Sequence, residues 1–201
     1  MLPVVLDEMK NLQASLCGMQ YQSDHTDCMV ILNRKLGQGV KARLIFDRGN
    51  FKSSSCTRQA PRMKELFEAG CQLRVLQPPH GGYSCMHTKT LIFDQGTVLT
   101  GSVNMTHNGF EHNKEHLFRI TDARAVSDVL ADFESTWEEA EVVDNVLIGD
   151  MMARYDKAEA EKAERARAKP SRSRSLSVQP RGRRHRNPGL ASVDENAEDA
   201  T

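Results

Sequence analysis

Apolar residues recur along the chain with two alternating periodicities, which predict helices and strands in turn. The clearest helix spans 123–140, where an apolar stripe recurs at helical spacing. The stripe consists of Val126, Val129, Leu130, Phe133 and Trp137. Shorter patterns predict helices at 4–12, 24–36 and 59–69 and strands at 16–21, 41–47, 71–76, 97–100 and 116–121. Because helices and strands alternate, the pattern predicts an α/β sandwich.

Small and polar residues mark the ends of these elements. Asp24 is predicted to cap the second helix, which Gly37 is predicted to end in a left-handed conformation. Gly70 is predicted to end the third helix. Asp94 begins a turn, Asp-Gln-Gly, between two strands. The polar segment 49–57 either turns the chain or lines a groove, and turning is the favoured interpretation.

The overall charge of +0 conceals a difference between the two parts of the chain. Residues 157–201 hold 11 basic and 7 acidic residues, which leaves 16 basic and 20 acidic residues in 1–156. Broad capture of nucleic acid depends on neutralising phosphates with Lys and Arg, so the slightly acidic body disfavours it. The basic tail remains able to supply such contacts.

The change in composition predicts three regions: a catalytic domain over 1–145, a charged helical extension over 146–169 and a disordered tail over 170–201. Residues 156–169 have only alanine as an apolar residue, so a helix there is solvated. The tail is basic and then acidic and poor in bulky apolar residues. Its RSRSLS segment resembles a phosphorylation site and RGRRHR a nuclear-targeting or polyanion-binding patch, while an inert tail is the alternative.

Five scattered cysteines form no C-x-x-C pair: Cys17, Cys28, Cys56, Cys71 and Cys85. This usage favours a reducing compartment with idle thiols over a zinc site. His80 is interpreted as a surface residue rather than a ligand. There is no apolar run of about 20 residues to span a bilayer, and the start lacks the features of a secretory signal. An intracellular location follows.

Residues 87–115 carry the candidate chemistry. His87, Lys89 and Asp94 are spaced as H-x-K-x4-D, and Gly101-Ser102-x-Asn104 follows. Side chains two apart on a strand project together, so one strand would place His87 beside Lys89. The next strand would return Ser102 and Asn104 alongside as hydrogen-bond donors. Imidazole, ammonium, hydroxyl and amide together suit a phosphate.

This stretch resembles the HKD motif of the phospholipase D superfamily, H-x-K-x4-D-x6-G-S-x-N, at every position. Its continuation also matches the family's pattern, through Thr106, Gly109, Asn113 and Glu115. The resemblance covers about 3–140 and is nearest the single-motif branch of Nuc-type endonucleases and MitoPLD/Zucchini proteins. Thr88 and Met105 depart from that branch, and its first edge strand and membrane anchor are not seen.

The resemblance implies an α/β/α sandwich with a mixed sheet and a metal-independent, cofactor-free phosphodiesterase. It implies His87 as nucleophile and a homodimer in which the partner's copy of this histidine is the general acid. Lys89 and Asn104 would hold the non-bridging oxygens, Ser102 would add a hydrogen bond and Glu115 would orient the histidine. Asp94 and Gly101 complete the motif as structural residues.

Three hypotheses for the substrate and activity remain open. A phospholipid such as cardiolipin requires approach to a membrane, and the branch suggests a cytoplasmic or mitochondrion-associated protein. Single-stranded nucleic acid requires a basic channel, for which the body offers only scattered cations. These cations are Lys41, Arg43, Arg48, Lys52 and Arg58. A catalytically silent phosphate-binding module is the third hypothesis, and the intact motif weighs against it.

Overall fold

The computed structural model describes residues 1–53, 58–79 and 84–168. The helices are α1 (Leu2–Asn11), α2 (Thr26–Gly37), α3 (Arg48–Phe51), α4 (Gln59–Glu68), α5 (His107–Glu111), α6 (Ala123–Glu139) and α7 (Asn145–Ala168). The strands are β1 (Ser15–Gln20), β2 (Lys41–Asp47), β3 (Gln72–Leu76), β4 (Lys89–Phe93), β5 (Thr97–Gly101), β6 (Leu117–Ile120) and β7 (Glu141–Val142). The predicted alternation of helices and strands is confirmed.

In the described ranges the strands form one seven-stranded sheet in the order β6-β5-β4-β1-β2-β3-β7. The β1, β2 and β3 strands are parallel neighbours, whereas β4, β5, β6 and β7 join the sheet in antiparallel pairs. The predicted mixed sheet is therefore present. The carboxyl ends of β1 and β2 lie beside the start of β4, at one end of the central strands.

Alternate residues of the central strands feed two cores, one on each face of the sheet. Leu16, Leu44 and Leu91 belong to the core that α1, α2, α4 and α7 cover. Ile45 and Ile92 belong to the core under α6. The predicted stripe of α6 is confirmed, since Val126, Phe133 and Trp137 are buried and Val129 and Leu130 pack against them. Helices on both faces make the molecule a three-layer sandwich.

The ends of α2 differ from the sequence predictions. Its N-cap is His25 rather than Asp24, and the backbone N–H groups of both residues donate to the Met105 carbonyl oxygen. The left-handed residue after the helix is Gly39 (φ 94°), not Gly37, because the chain continues through Gln38 before it turns. The left-handed Gly70 (φ 90°) after α4 is as predicted.

The predicted polar loop 49–57 contains a helical turn, α3, which Asp47 caps by accepting the N–H of Asn50. Residues 54–57 of that loop and His80 lie outside the described residues. So does the tail over 170–201, which stays a prediction.

The predicted boundary after residue 145 falls at the start of α7. Leu147, Ile148 and Met151 on its first turns are buried in the core shared with α4. The later turns are largely exposed, in keeping with their charged sequence. Among the described residues, no helix combines the length and apolar character needed to cross a bilayer.

The turn between β4 and β5 is hydrogen-bonded to the backbone at the start of β1. Asp94 (φ 48°) and Gln95 (φ 56°) adopt left-handed conformations that suit a tight hairpin. The Asp94 carboxylate accepts the backbone N–H groups of Gln13, Ala14 and Ser15 at 2.9, 2.7 and 2.8 Å. Burial raises the pKa of this carboxyl, but the three N–H groups and Lys35 outweigh it, so the pKa lies below its usual value.

We predict that Asp94→Asn lowers the free energy of unfolding at pH 7 by about 1 kcal/mol, since hydrogen bonds to a charged acceptor are stronger than those to an amide. The folded-state pKa is depressed, so the contribution is complete above the unfolded-state pKa of about 3.9 and is lost as pH falls through the folded-state value. Urea unfolding of both proteins between pH 7 and pH 3 measures this. Asp128→Asn, exposed on α6, is the control, and a difference that does not shrink in acid would contradict the prediction.

Candidate active site

His87 lies in the segment 84–88, which precedes β4 and has no regular secondary structure. The prediction that one strand carries both His87 and Lys89 is therefore wrong at its first residue. Lys89 begins β4 and is only 6% exposed, whereas His87 is exposed. The Lys89 Nζ donates to the His87 carbonyl oxygen at 2.6 Å, so the ammonium turns back beneath the histidine.

Tyr21 contacts both of these residues. It follows β1, and its backbone N–H donates to the Thr88 carbonyl at 3.1 Å. Its ring meets the His87 ring edge-on with centroids 4.7 Å apart, and the Lys89 Nζ lies 5.1 Å from its centroid. A cation over an aromatic face is favourable and compensates part of the cost of burying the ammonium. Tyr21 was not predicted to be a site residue. The feature of the sequence that could have indicated it is an aromatic residue at the end of a predicted strand.

Ser102 lies where β5 and β6 diverge. Its backbone N–H donates to the His116 carbonyl at 3.1 Å, and its Oγ accepts the His116 N–H at 3.0 Å. The preceding residue must be glycine, because a Cβ on Gly101 would lie 2.1 Å from the His116 carbonyl oxygen. The close approach of the two strands therefore places Ser102.

Asn104 is held by the loop that leads into α5. A Cβ on Gly109 would lie 2.3 Å from the Asn104 carbonyl oxygen, and Thr106 caps α5 by accepting the Gly109 N–H. Within the described part of the chain, the buried Asn104 Oδ1 has no hydrogen-bond partner. The loop therefore fixes the backbone of Asn104.

Glu115 binds the other motif residues rather than His87. Ser102 Oγ donates to its Oε2, and Asn113 Nδ2 donates to its Oε1 at 3.0 Å. These hydrogen bonds, first from Ser102 and then from Asn113, hold the pKa of the Glu115 carboxyl below its usual value. No hydrogen bond joins Glu115 to His87 in the described residues of the chain. The carboxylate thus orients Ser102.

The electrostatic environment favours a neutral imidazole. Although the His87 side chain is exposed, partial desolvation by its neighbours lowers its pKa, the Lys89 ammonium lowers it further, and Asp47 opposes both. Burial also lowers the pKa of Lys89, although Cys85 and Glu115 act in the other direction. An unprotonated ring nitrogen beside a cation can attack an electrophile whose negative charge that cation attracts. Within the described ranges, no three His, Cys, Asp or Glu side chains are grouped so as to hold a metal ion.

Asp47 is a further residue that the sequence analysis named only as the end of a strand. It is 3% exposed and lies at the carboxyl end of β2, next to the end of β1. Its Oδ2 accepts the backbone N–H of Met86, the residue before His87, at 3.0 Å. A carboxylate at the end of a largely apolar strand was the feature of the sequence that could have indicated a site residue here.

Comparison with known proteins identifies the family. A family model described as "Cardiolipin synthase, PLD-like domain" matches residues 5–137. The phospholipase D of Rickettsia prowazekii (strain Madrid E) is 25% identical over 132 residues, which make up 65% of this chain and 60% of that protein. The mitochondrial cardiolipin hydrolase of Homo sapiens is 38% identical over 74 residues, 37% of this chain and 28% of that protein.

The fold has a counterpart among solved structures. Nuc from Salmonella typhimurium, a phospholipase D family member, matches with a TM-score of 0.64 at 21% identity and covers 72% of this chain and 91% of its own. With the family model matching most of the folded part, the chain belongs to the phospholipase D-like family. It spans 60% and 28% of the lengths of the two curated relatives above.

We predict that Gly101→Ala destabilises the protein by about 3 kcal/mol, because a methyl group against a backbone carbonyl forces β5 and β6 apart. Urea unfolding monitored by circular dichroism measures the loss. Gly149→Ala is the matched control, since a Cβ there meets nothing within 4 Å. It lies inside α7 and should gain about 0.5–1 kcal/mol. Equal stability of the two variants would show that the strands do not approach closely at Gly101.

Proposed function

We propose that the protein is a metal-independent phosphodiesterase that forms a phosphohistidine at His87. The observation that carries this proposal is the position of His87 at the end of the central strands, beside the Lys89 ammonium. Desolvation and this ammonium lower the pKa of His87. Family membership supports the same reaction class. A silent binding module would not require a histidine kept neutral beside a buried cation.

The reaction proceeds in two steps with balanced proton transfers. A neutral His87 ring nitrogen attacks phosphorus, a P–N bond forms and the P–O bond to the leaving alcohol breaks. A second imidazole, protonated, donates its proton to the departing oxygen. In the second step water attacks the phosphohistidine, the second imidazole takes the proton of that water, and the P–N bond breaks to release the phosphate product.

The other motif residues bind the phosphoryl group. Lys89 and Asn104 hold the non-bridging oxygens and stabilise the charge that builds up in the transition state. Ser102 adds a hydrogen bond at the phosphate when its hydroxyl hydrogen, which Glu115 accepts in this structure, turns to a non-bridging oxygen. Asn113 still donates to Glu115 after that turn. No step requires a metal or a cofactor.

The second imidazole comes from a second copy of the chain. The sequence carries one H-x-K-x4-D motif, at His87, whereas the mechanism needs a nucleophile and a general acid on opposite sides of the phosphate. We therefore propose a homodimer whose shared site contains His87 of both protomers. The exposure of His87 is compatible with a facing partner.

A phospholipid such as cardiolipin is the proposed substrate. The relative with 38% identity is named a mitochondrial cardiolipin hydrolase, and a mitochondrion-associated location would accompany this substrate. The structure also weakens the case for nucleic acid, because two of the scattered cations are engaged. Arg43 pairs with Glu134 and lies over the Phe133 ring, and Arg48 pairs with Glu141. Neither is free to line a basic channel.

We predict that the purified protein hydrolyses cardiolipin in vesicles. EDTA should leave the rate of hydrolysis unchanged within about twofold. The His87→Asn substitution should lower this rate by at least about 1,000-fold. The physical reason is that asparagine cannot form the P–N bond. Phosphate-ester product is measured by mass spectrometry, with single-stranded RNA and DNA and a chromogenic bis-phosphodiester tested in parallel.

The control variant is His112→Asn, which removes an exposed histidine outside the proposed site and should retain the wild-type rate. Cleavage of nucleic acid alone would replace the lipid by the nuclease alternative and leave the mechanism intact. Loss of activity in EDTA, or full activity in His87→Asn, would contradict the mechanism.

We predict that wild-type protein mixed with His87→Asn loses more activity than dilution explains. If a site needs both histidines, an equimolar exchanged mixture retains about one quarter of the activity, whereas independent protomers retain about one half. Co-refolding the two proteins and assaying across the mixing range measures the dependence, with analytical ultracentrifugation to verify the dimer. Mixing with His112→Asn provides the control, and a linear decline with His87→Asn would exclude a shared site.

A further inference from the structure

The Asp47 carboxylate is buried at the carboxyl end of β2, close to the candidate active site, and the proposed reaction does not use it. It is 3% exposed, and burying a carboxylate is costly unless hydrogen bonds compensate. Its two oxygens have different partners. Oδ1 accepts the Asn50 N–H at 2.7 Å and caps α3, while Oδ2 accepts the Met86 N–H at 3.0 Å.

The bond to Met86 goes beyond what a helix cap requires. An N-cap needs one acceptor directed at the first turn, which Oδ1 provides. Oδ2 reaches 39 residues along the sequence to the segment that carries His87. Because residues 84–88 have no regular secondary structure, their position depends on such individual contacts. Further contacts of this segment include the Tyr21 N–H to the Thr88 carbonyl, the Lys89 ammonium to the His87 carbonyl and the Gln77 side-chain amide to the Ser84 carbonyl.

Groups from three elements contact His87 or act on it electrostatically. Tyr21 after β1 contributes an uncharged ring edge, Lys89 of β4 contributes a positive charge, and Asp47 of β2 contributes a negative charge. A nearby carboxylate favours the protonated imidazole, and a nearby ammonium opposes it. The balance between Asp47 and Lys89 therefore sets how readily His87 can take up and release a proton.

We propose that Asp47 is the positioning residue of His87: it anchors the preceding backbone through Met86 and supplies the negative charge that supports the imidazolium. The proposal rests on the proposed role of His87, because both steps of the reaction need an imidazole that changes protonation state. Asp47 acts through His87 and does not touch the substrate. Glu115, bound to Ser102 and Asn113, serves the phosphate-binding side instead.

The proposal is tested first without turnover. In protein labelled with ¹³C-histidine, the Cε1–H resonance of His87 is identified by its absence from His87→Asn and titrated between pH 4.5 and 8.5. Removing the negative charge in Asp47→Asn should move the His87 titration to lower pH. Asp122→Asn is the matched control, since Asp122 caps α6 in the same way, away from the motif, and should leave the titration unchanged.

The kinetic consequence follows in the same variants. Because both limbs of the pH–rate profile belong to the two copies of His87, the whole bell should move towards acid in Asp47→Asn. At pH 7.5 kcat should fall about tenfold with KM within about twofold, since a displaced nucleophile and a smaller protonated fraction of the general-acid imidazole affect the chemical step. A purely structural role would lower the amount of active protein without moving the profile.

A second variant guards against misfolding. Serine is a good N-cap, so Asp47→Ser can keep the α3 turn while it removes the charge, and thermal unfolding verifies both variants. A shift of the His87 titration in every folded variant supports the proposal. An unchanged titration in a folded variant overturns it, even if the enzyme is active. Because the titration needs no substrate, that result is distinguishable from failure of the proposed phosphodiesterase activity.

Discussion

The antiparallel pairing of β4 with β1 is the interaction on which the site depends. It places Lys89 opposite Gln20 at one end and Phe93 opposite Leu16 at the other, in the middle of the sheet. Gly18 permits the pairing to pack tightly, since a Cβ there would lie 2.9 Å from Leu44 and Leu91 side-chain atoms. The Asp94 carboxylate fastens the far end. A slip of one residue would send Lys89 to the opposite face.

This register explains how an ammonium is tolerated in a buried position. The Lys89 side chain is covered by neighbouring elements, yet it has a carbonyl acceptor at His87 and the Tyr21 ring within reach. Burial increases its electrostatic effect on the neighbouring imidazole, because the local dielectric constant is lower than that of water. Desolvation and this ammonium lower the pKa of His87 and favour the neutral imidazole, while Asp47 supplies the opposing charge. The electrostatic environment of His87 arises from this arrangement of charges at the ends of the central strands.

Much of the fold could be predicted from residue patterns because the signals are local. The alternating strands and the apolar stripe of α6 follow from the requirement to bury one face of each element. The predictions failed at boundaries, where tertiary contacts compete with local preference. His25 rather than Asp24 is the N-cap of α2, where the backbone N–H groups of both residues donate to the distant Met105 carbonyl oxygen. The buried first turns of α7 were obscured by the charged residues that follow them.

The sequence by itself determined the chemistry that is available: one histidine, one lysine, a serine and an asparagine at fixed spacing, with glycine where two strands touch. Only the tertiary structure decided which carboxylate is hydrogen-bonded to which part of the site. Glu115, predicted to orient the histidine, is bonded to Ser102, while Asp47, far away in the sequence, anchors the segment that carries His87. The physical reason is that spacing fixes neighbours along a strand, whereas contacts between strands depend on sheet order and register.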